Sequence, residues 1–423
     1  IGVEICEDFW VVVPPSSYQA QAGATLIANL SASVALVAKD EYRQQLIVGQ
    51  SGRCISGYIY ASSGVHESTT DVVYGGHALI GENGSIVASN RPFSREPQLT
   101  TADLDCRKLV ASRISETSFG DEPVRPFRTI QLAMTPDFKE LQRPVDPHPF
   151  VPKNETLRSA RCEEIFAIQA AGLAKRLEHT GISKVVIGVS GGLDSTLALL
   201  VCVEAFKLLD LDPQGIVSIT MPGFGTTDRT YQNACDLCQQ LGTQLREVDI
   251  RKACLQHFSD IGHDPTVHDV TYENVQARER TQVLMDVANR EGGLVIGTGD
   301  LSEIALGWST YNGDHMSMYA VNCSVPKTLI RYVIGWVADQ RSADVRSLLH
   351  DILDTPITPE LLPKGKEGEL VQKTEDTIGP YELHDFFLYH FKRYGAEPAK
   401  ILWLAGYAFA ERYETATIRK WLR

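Results

Sequence analysis

No stretch of this 423-residue chain approaches the roughly 18 consecutive apolar residues needed to cross a bilayer, and no basic segment followed by an apolar core opens it. A membrane partner is not expected, and the expected location is the cytoplasm. Positive charge is in deficit: 40 Lys and Arg face 53 Asp and Glu, for a net charge of −13. Non-specific nucleic-acid affinity comes from a surplus of Lys and Arg, so nucleic acid is not an expected partner and any bound phosphate needs a local site. The nine cysteines are odd in number and scattered through apolar runs such as 198–206, which argues against a disulfide framework and for a reducing compartment. Cys235 and Cys238 have no second pair at zinc spacing. A kinase-type P-loop is excluded, because G-x-x-x-x-G-K-[ST] occurs nowhere.

What is present is an ordinary globular composition in a chain too long for one core, so two units are expected. The first hundred residues carry short β-branched runs at 24–30, 57–61, 77–80 and 85–88, with a helical pattern at 40–55. Asn83-Gly84 between the last two runs is a hairpin signal, because such turns need positive φ at both central residues. From 107 to 155 the periodicity weakens into Pro-rich pieces such as 144–149, where a linker is expected. Beyond it, a helix at 162–179 precedes strand 184–189, helix 195–207, strand 215–221, helix 228–241 and strand 244–250. Alternation of this kind predicts an α/β fold with a doubly wound parallel sheet.

The stretch Gly188-Val189-Ser190-Gly191-Gly192-Leu193-Asp194-Ser195 reads as a strand end, a tight turn and a helix start. Two glycines let backbone N–H groups approach an anion, and the helix start adds unpaired donors. Asp194 at its edge suits Mg²⁺, a hard cation that prefers carboxylate and phosphate oxygens. The competing reading is a Gly-rich turn whose Ser and Asp merely cap a helix.

A second cluster runs from Asn274, near the start of a helix, through strand 294–296 into Gly297-Thr298-Gly299-Asp300-Leu301-Ser302-Glu303. Trp308-Ser309-Thr310-Tyr311 and Asp314 follow, then Lys327 after Val325-Pro326. Ligands bind beyond the carboxyl ends of strands in open α/β sheets, which is where Glu303 falls. Taken singly, Trp308 and Tyr311 read as core packing and Lys327 as a solvated charge. His263 and His268 read as solvated loop residues. Near the start, Cys6 follows an apolar strand and precedes Glu7, Asp8 and Trp10. A thiolate at such an elbow is a nucleophile for amides, and a buried structural thiol is the competing reading.

Three strings together carry a resemblance. SGGLDS at 190–195 resembles the PP-loop of the ATP-pyrophosphatase superfamily, which releases AMP and pyrophosphate. GTGDLSE at 297–303, with the aromatic stretch after it, resembles the NAD synthetase family. The C-E-D-x-W string at Cys6 is similar to the nucleophile elbow of the nitrilase superfamily, and 379–387 (GPYELHDFF) is similar to the long, glutamine-using synthetases. The chain thus resembles glutamine-dependent NAD synthetases over nearly its whole length. The resemblance implies the C-terminal part of a nitrilase-like α-β-β-α sandwich at 1–110, a linker at 111–157 and a Rossmann-like PP-loop synthetase domain at 158–423, cut short at both ends. It implies ATP-dependent amidation of deamido-NAD through an adenylate, with ammonia made from L-glutamine, by a homo-oligomer.

Residue by residue, it implies that Gly188 to Ser195 and Thr298 bind ATP and that Asp194 and Glu303 hold Mg²⁺. Asn274, Glu303, Trp308, Ser309, Thr310, Tyr311, Asp314 and Lys327 would contact deamido-NAD. Cys6 would be the glutaminase nucleophile, with Ser33 and Lys39 on the glutamine. The family's triad also needs a Glu and a Lys that lie upstream of the elbow, so this chain by itself is expected to hydrolyse glutamine poorly. Rival readings are another PP-loop amidotransferase or sulfurtransferase, a nitrilase-type amidohydrolase, and a nucleotide sensor without turnover.

Overall fold

A computed structural model describes residues 1–121, 123–133, 140–355, 361 and 374–423. Contacts divide the chain into two units, one of Ile1–Val145 with His390–Ala410 and one of Asp146–Tyr389 with Glu411–Arg423. Part of the expected linker, at 122 and 134–139, lies outside the described residues.

The first unit holds β1 (Gly2–Ile5), α1 (Pro15–Gln21), β2 (Leu26–Ser31), α2 (Lys39–Arg53), β3 (Gly57–Ser62), β4 (Ala78–Glu82), β5 (Ser85–Ser89) and α3 (Cys106–Ser115). The five strands form one sheet in sequence order, parallel from β1 to β3 and antiparallel from β3 to β5. The β4–β5 hairpin turns on Asn83 at φ +43° and Gly84 at φ +85°, as the Asn-Gly signal predicts. Alternation along the strands puts Ile27, Tyr58, Tyr60 and Leu79 into a core with Phe9 and Ile47, while Val3, Ile5 and Leu30 stay exposed on the opposite face.

Helix α3 corrects the reading of weak pattern from residue 107. Leu109 is buried, and the Arg113 side chain donates to the carbonyls of Ala20, Ala24, Cys54 and Ile55. One buried leucine and one arginine hold this helix, too little for periodicity to register.

The second unit begins with α4 (Glu155–Thr180), which starts seven residues ahead of the expected 162 because the Asn154 side chain caps the Leu157 N–H. Then follow β6 (Val185–Gly188), α5 (Leu193–Leu208), β7 (Ile216–Thr220), α6 (Asp228–Gln240), β8 (Gln244–Glu247), α7 (Arg251–Ile261), α8 (Val270–Glu291), β9 (Leu294–Gly297), α9 (Leu301–Leu306) and β10 (Tyr319–Ala320). Helices α10 (Lys327–Asp339), α11 (Ala343–Leu353), α12 (Thr374–Ile378), α13 (Tyr381–Tyr394), α14 (Pro398–Ala408) and α15 (Thr415–Leu422) complete the chain, with α14 and the end of α13 from His390 assigned to the first unit. Strand β8 stops at Glu247, short of the expected 250, because Ile250 already has helical backbone as the cap of α7.

The sheet order is β10-β9-β6-β7-β8, all parallel. Val185 and Ile187 enter one core and Val186 the other, so both faces of the sheet are covered. The chain runs outward from β6 through β7 to β8 and then returns to the other side of β6 as β9. Between β6 and β9 lies the switch point, where the strand order reverses.

Candidate functional site

Both loops that the sequence analysis singled out leave the sheet at this switch point. After β6, Gly191 turns at φ +81°, and a Cβ there would lie 2.1 Å from the Thr230 carbonyl oxygen. Only glycine fits. Ser195 Oγ accepts from the Ser190 N–H at 3.2 Å and donates to the Gly192 carbonyl at 3.1 Å, while Ser190 Oγ accepts from the Gly192 N–H at 3.2 Å. The loop is therefore held in shape by its own hydroxyls. Its helix, α5, begins at Gly192 with no side-chain cap, which leaves the first-turn N–H groups for an anion.

After β9, Asp300 caps α9 through Oδ1, which accepts from the Glu303 N–H at 2.8 Å. Its other oxygen faces Lys327. The Lys327 ammonium lies 2.6 Å from Asp194 Oδ2, 2.8 Å from Asp300 Oδ2 and 2.8 Å from Glu303 Oε1. Lys327 is only 2% exposed, which overturns the solvated-charge reading. Burial works against its charge, but Asp194, Glu303 and Asp300 outweigh it and hold the ammonium well above its usual range. The carboxylates shift upward too, which for them works against the charged form. Burial, with the charge of Asp194 beside it, pushes Asp300 up to about 8 and raises Glu303 as well.

The donor set fits a hard divalent cation on the structure's own terms. Asp194, Asp300 and Glu303 offer one oxygen each within 4.8 Å of one another, and Asp194 Oδ1 is buried with no hydrogen-bond partner among the described residues. Asp300, fully buried, is the member that the sequence analysis did not assign. Its signal was present, since it stands in the quoted GTGDLSE string directly beyond a strand.

The remaining residues fall into two groups. Asn274 Oδ1 accepts from Thr310 Oγ1 at 2.8 Å, and Asp314 Oδ1 accepts from the Thr310 N–H at 2.7 Å, so these three meet around one threonine. Tyr311 is 75% exposed and stacks on His315, and Trp308 and Ser309 follow the end of α9, so Tyr311 does not belong to the core. Thr298 is tied to Asp194 through Asn322, whose buried amide donates to the Asp194 carbonyl at 2.9 Å and the Thr298 carbonyl at 3.0 Å. No motif flags Asn322; only the fold brings it there.

In the first unit, Cys6 follows β1 at φ +49°, a left-handed conformation rare for a side-chain-bearing residue. Ser33 follows β2, the parallel neighbour of β1, so both stand beyond the carboxyl ends of adjacent strands. The Ser33 N–H donates to Ser62 Oγ at 3.3 Å, while its carbonyl and hydroxyl accept from Arg43. Lys39 opens α2 with its ammonium 5.2 Å from the centre of the Trp10 ring. His263 is largely covered, with Nε2 3.1 Å from the Val267 carbonyl, which corrects its reading as solvated. His268 packs against the ring of buried Tyr272. Cys235 and Cys238 gather no metal-binding group among the described residues.

A glycine loop feeding a helix start, facing carboxylates across the switch point of a parallel sheet, defines an α/β protein with an anion-type loop beside a carboxylate cluster. A sequence model of the NAD synthase family matches residues 165–393, more than half of the chain. The chain belongs to the NAD synthase family. It is 43% identical over 426 residues to the glutamine-dependent NAD(+) synthetase of Mycobacterium leprae (strain TN), covering 97% of this chain and 62% of that protein. To the glutamine-dependent NAD(+) synthetase of Mycobacterium tuberculosis (strain ATCC 25618 / H37Rv) it is 42% identical over 454 residues, covering 100% of this chain and 67% of that one. The chain thus spans about two thirds of the length of these relatives. The crystal structure of a glutamine-dependent NAD(+) synthetase from Cytophaga hutchinsonii covers 100% of this chain and 64% of its own at 18% identity and a TM-score of 0.50, a likeness of fold. Among the described residues, no helix is long and apolar enough to cross a membrane.

Proposed function

We propose that the second unit amidates deamido-NAD at the expense of ATP, as a carbon–nitrogen ligase. The observation that carries this reading is the pairing of the self-braced 190–195 loop with the Asp194, Asp300, Glu303 and Lys327 cluster at one switch point. The nicotinate carboxylate attacks the α-phosphorus of ATP, an acyl–O–P bond forms, and the bond to the β-phosphate breaks to release pyrophosphate. Ammonia then adds to the acyl carbon, and AMP leaves as the amide forms and a proton is lost. The first-turn N–H groups of α5 and the Lys327 ammonium offer fixed positive charge where the pyrophosphate oxygens gain negative charge. Asp194, Asp300 and Glu303 would hold Mg²⁺, which supplies further neutralisation of that leaving group when bound. Thr298, held by Asn322 beside the loop, contributes to the ATP site. Asn274, Thr310 and Asp314 with the exposed Tyr311 form the part of the site suited to a flat ring and a ribose.

In the same proposal the first unit is the C-terminal part of a nitrilase-like sandwich, with Cys6 the glutaminase nucleophile and Ser33 and Lys39 on the glutamine. The left-handed elbow at Cys6 supports it, as does the apolar face carrying Val3, Ile5 and Leu30, which a second sheet would cover. The domain division proposed is 1–110, 111–157 and 158–423, in a homo-oligomer. The test is product analysis with ATP, Mg²⁺ and deamido-NAD, supplied with ammonium or with glutamine. AMP and NAD in equal amounts with ammonium are expected. ADP in place of AMP, or no AMP that depends on deamido-NAD, overturns the reading.

A further inference from the structure

The 379–387 segment has no part in the reaction outlined above, yet one of its side chains faces the Lys327 ammonium and another binds the residues beside the ion cluster. Helix α10 begins at Lys327 directly after Pro326, which has no side-chain acceptor, so nothing local caps it. Its first N–H groups are capped from elsewhere. The Lys327 N–H donates to Ser302 Oγ at 2.9 Å, and the Thr328 N–H donates to Asp385 Oδ2 at 2.9 Å. Thr328 Oγ1 donates to the same carboxylate oxygen at 2.6 Å, and Ser302 Oγ donates to Asp385 Oδ1. Ser302 lies between Asp300 and Glu303. One buried carboxylate, Asp385 at 2% exposure, therefore fixes α9 against the start of α10.

Tyr381, one helical turn before Asp385 and 2% exposed, places its ring centre 5.3 Å from the Lys327 ammonium. Helix α13 thus meets the Lys327 charge directly through Tyr381 and the Lys327 backbone at one remove, through Ser302 and Thr328. We propose that Asp385 is a positioning residue that sets the Lys327 ammonium against Asp194, Asp300 and Glu303, acting through Ser302 and the Thr328 backbone. The assignment deepens the synthetase reading and rests on it for its consequence in catalysis. A carboxylate is suited to the task because it alone accepts three donors here without bringing a donor of its own.

Coupling between positions separates this role from a merely structural one. ATP affinity is measured by calorimetry with Mg²⁺ present in the wild-type chain, D385N, K327Q and the double variant, with melting temperature followed in each. D385N is expected to weaken ATP about tenfold when Lys327 is present, the scale of hydrogen bonds to a charged group, and to change it less than about twofold beside K327Q. The loss of melting temperature should be the same in both backgrounds. An equal loss of affinity in both backgrounds, or none in either, overturns the proposal. If D385N does not fold, S302A, which removes only the shared hydroxyl, must show the same coupling or the proposal fails. AMP formation from deamido-NAD is followed in parallel: coupled binding without AMP in the wild type rejects the synthetase reading and leaves the positioning role standing.

Discussion

At φ +81°, with the Thr230 carbonyl oxygen 2.1 Å from where a Cβ would stand, residue 191 tolerates no side chain. Gly191→Ala therefore meets backbone strain of about 1–3 kcal/mol and a collision with a backbone atom that cannot swing away. Urea unfolding should show a loss of at least that size, and ATP binding should fall with it; an unchanged midpoint would mean the loop has another shape. Lys327 poses the opposite problem, a charge that is needed where solvent is absent. Lys327→Met leaves three clustered carboxylates without their counter-ion, a change of about 3–5 kcal/mol for a buried pair broken on one side. Added Mg²⁺ should restore part of that loss by binding the folded state, and the wild-type chain should gain less from the same addition. A variant as stable as the wild type without Mg²⁺ would contradict the buried cluster.

Among elements, α5 carries the packing of the second unit. Leu197, Leu199, Leu200 and Val201 are fully buried, so the helix is covered on every side. Leu200→Ala should cost about 2–5 kcal/mol in denaturant unfolding, and loss of ATP binding should track the unfolded fraction. This strand–loop–helix unit was legible because its signals are local: a β-branched run, two glycines and an apolar helix within about two dozen residues. The β4–β5 hairpin was legible for the same reason. Helix α3 and the two-residue β10 were not, because what orders them is contact with distant residues, Arg113 with four carbonyls in one case and the edge of β9 in the other.

Over the whole molecule, acid should act first on the unit that contains His390. Burial, with the charges of Lys400 and Lys108, lowers this imidazole to about 4 from its usual 6.5. The unfolded chain binds a proton near 6.5 that the folded chain refuses, so stability falls as pH drops from there toward 4 and flattens below. Asp105, paired with Lys400 at 2.6 Å, continues the trend below 3.8, because its proton affinity is lowered in the fold. Unfolding midpoints measured from pH 7 to 4 should fall in the wild type and fall less in His390→Phe; parallel slopes would remove His390 from the account.

Sequence by itself determined the parallel α/β architecture, the glycine turn between β6 and α5, and the Asn-Gly hairpin. These depend on backbone preference and on the period of burial, which act between near neighbours. It also named Asp194 and Glu303, joined as metal ligands by the resemblance, and Lys327, though not that Lys327 stands between them. Only the tertiary structure decided that Lys327 is buried, that Asp300 completes the carboxylate set, that Asn322 joins Thr298 to Asp194, and that Asp385 caps a helix it does not belong to. Lys327 and Asp194 stand 133 residues apart, and no local rule reports whether a charge so placed faces water or three carboxylates. That is settled by which strand ends share the switch point, and the order of strands in a sheet is a property of the packed chain.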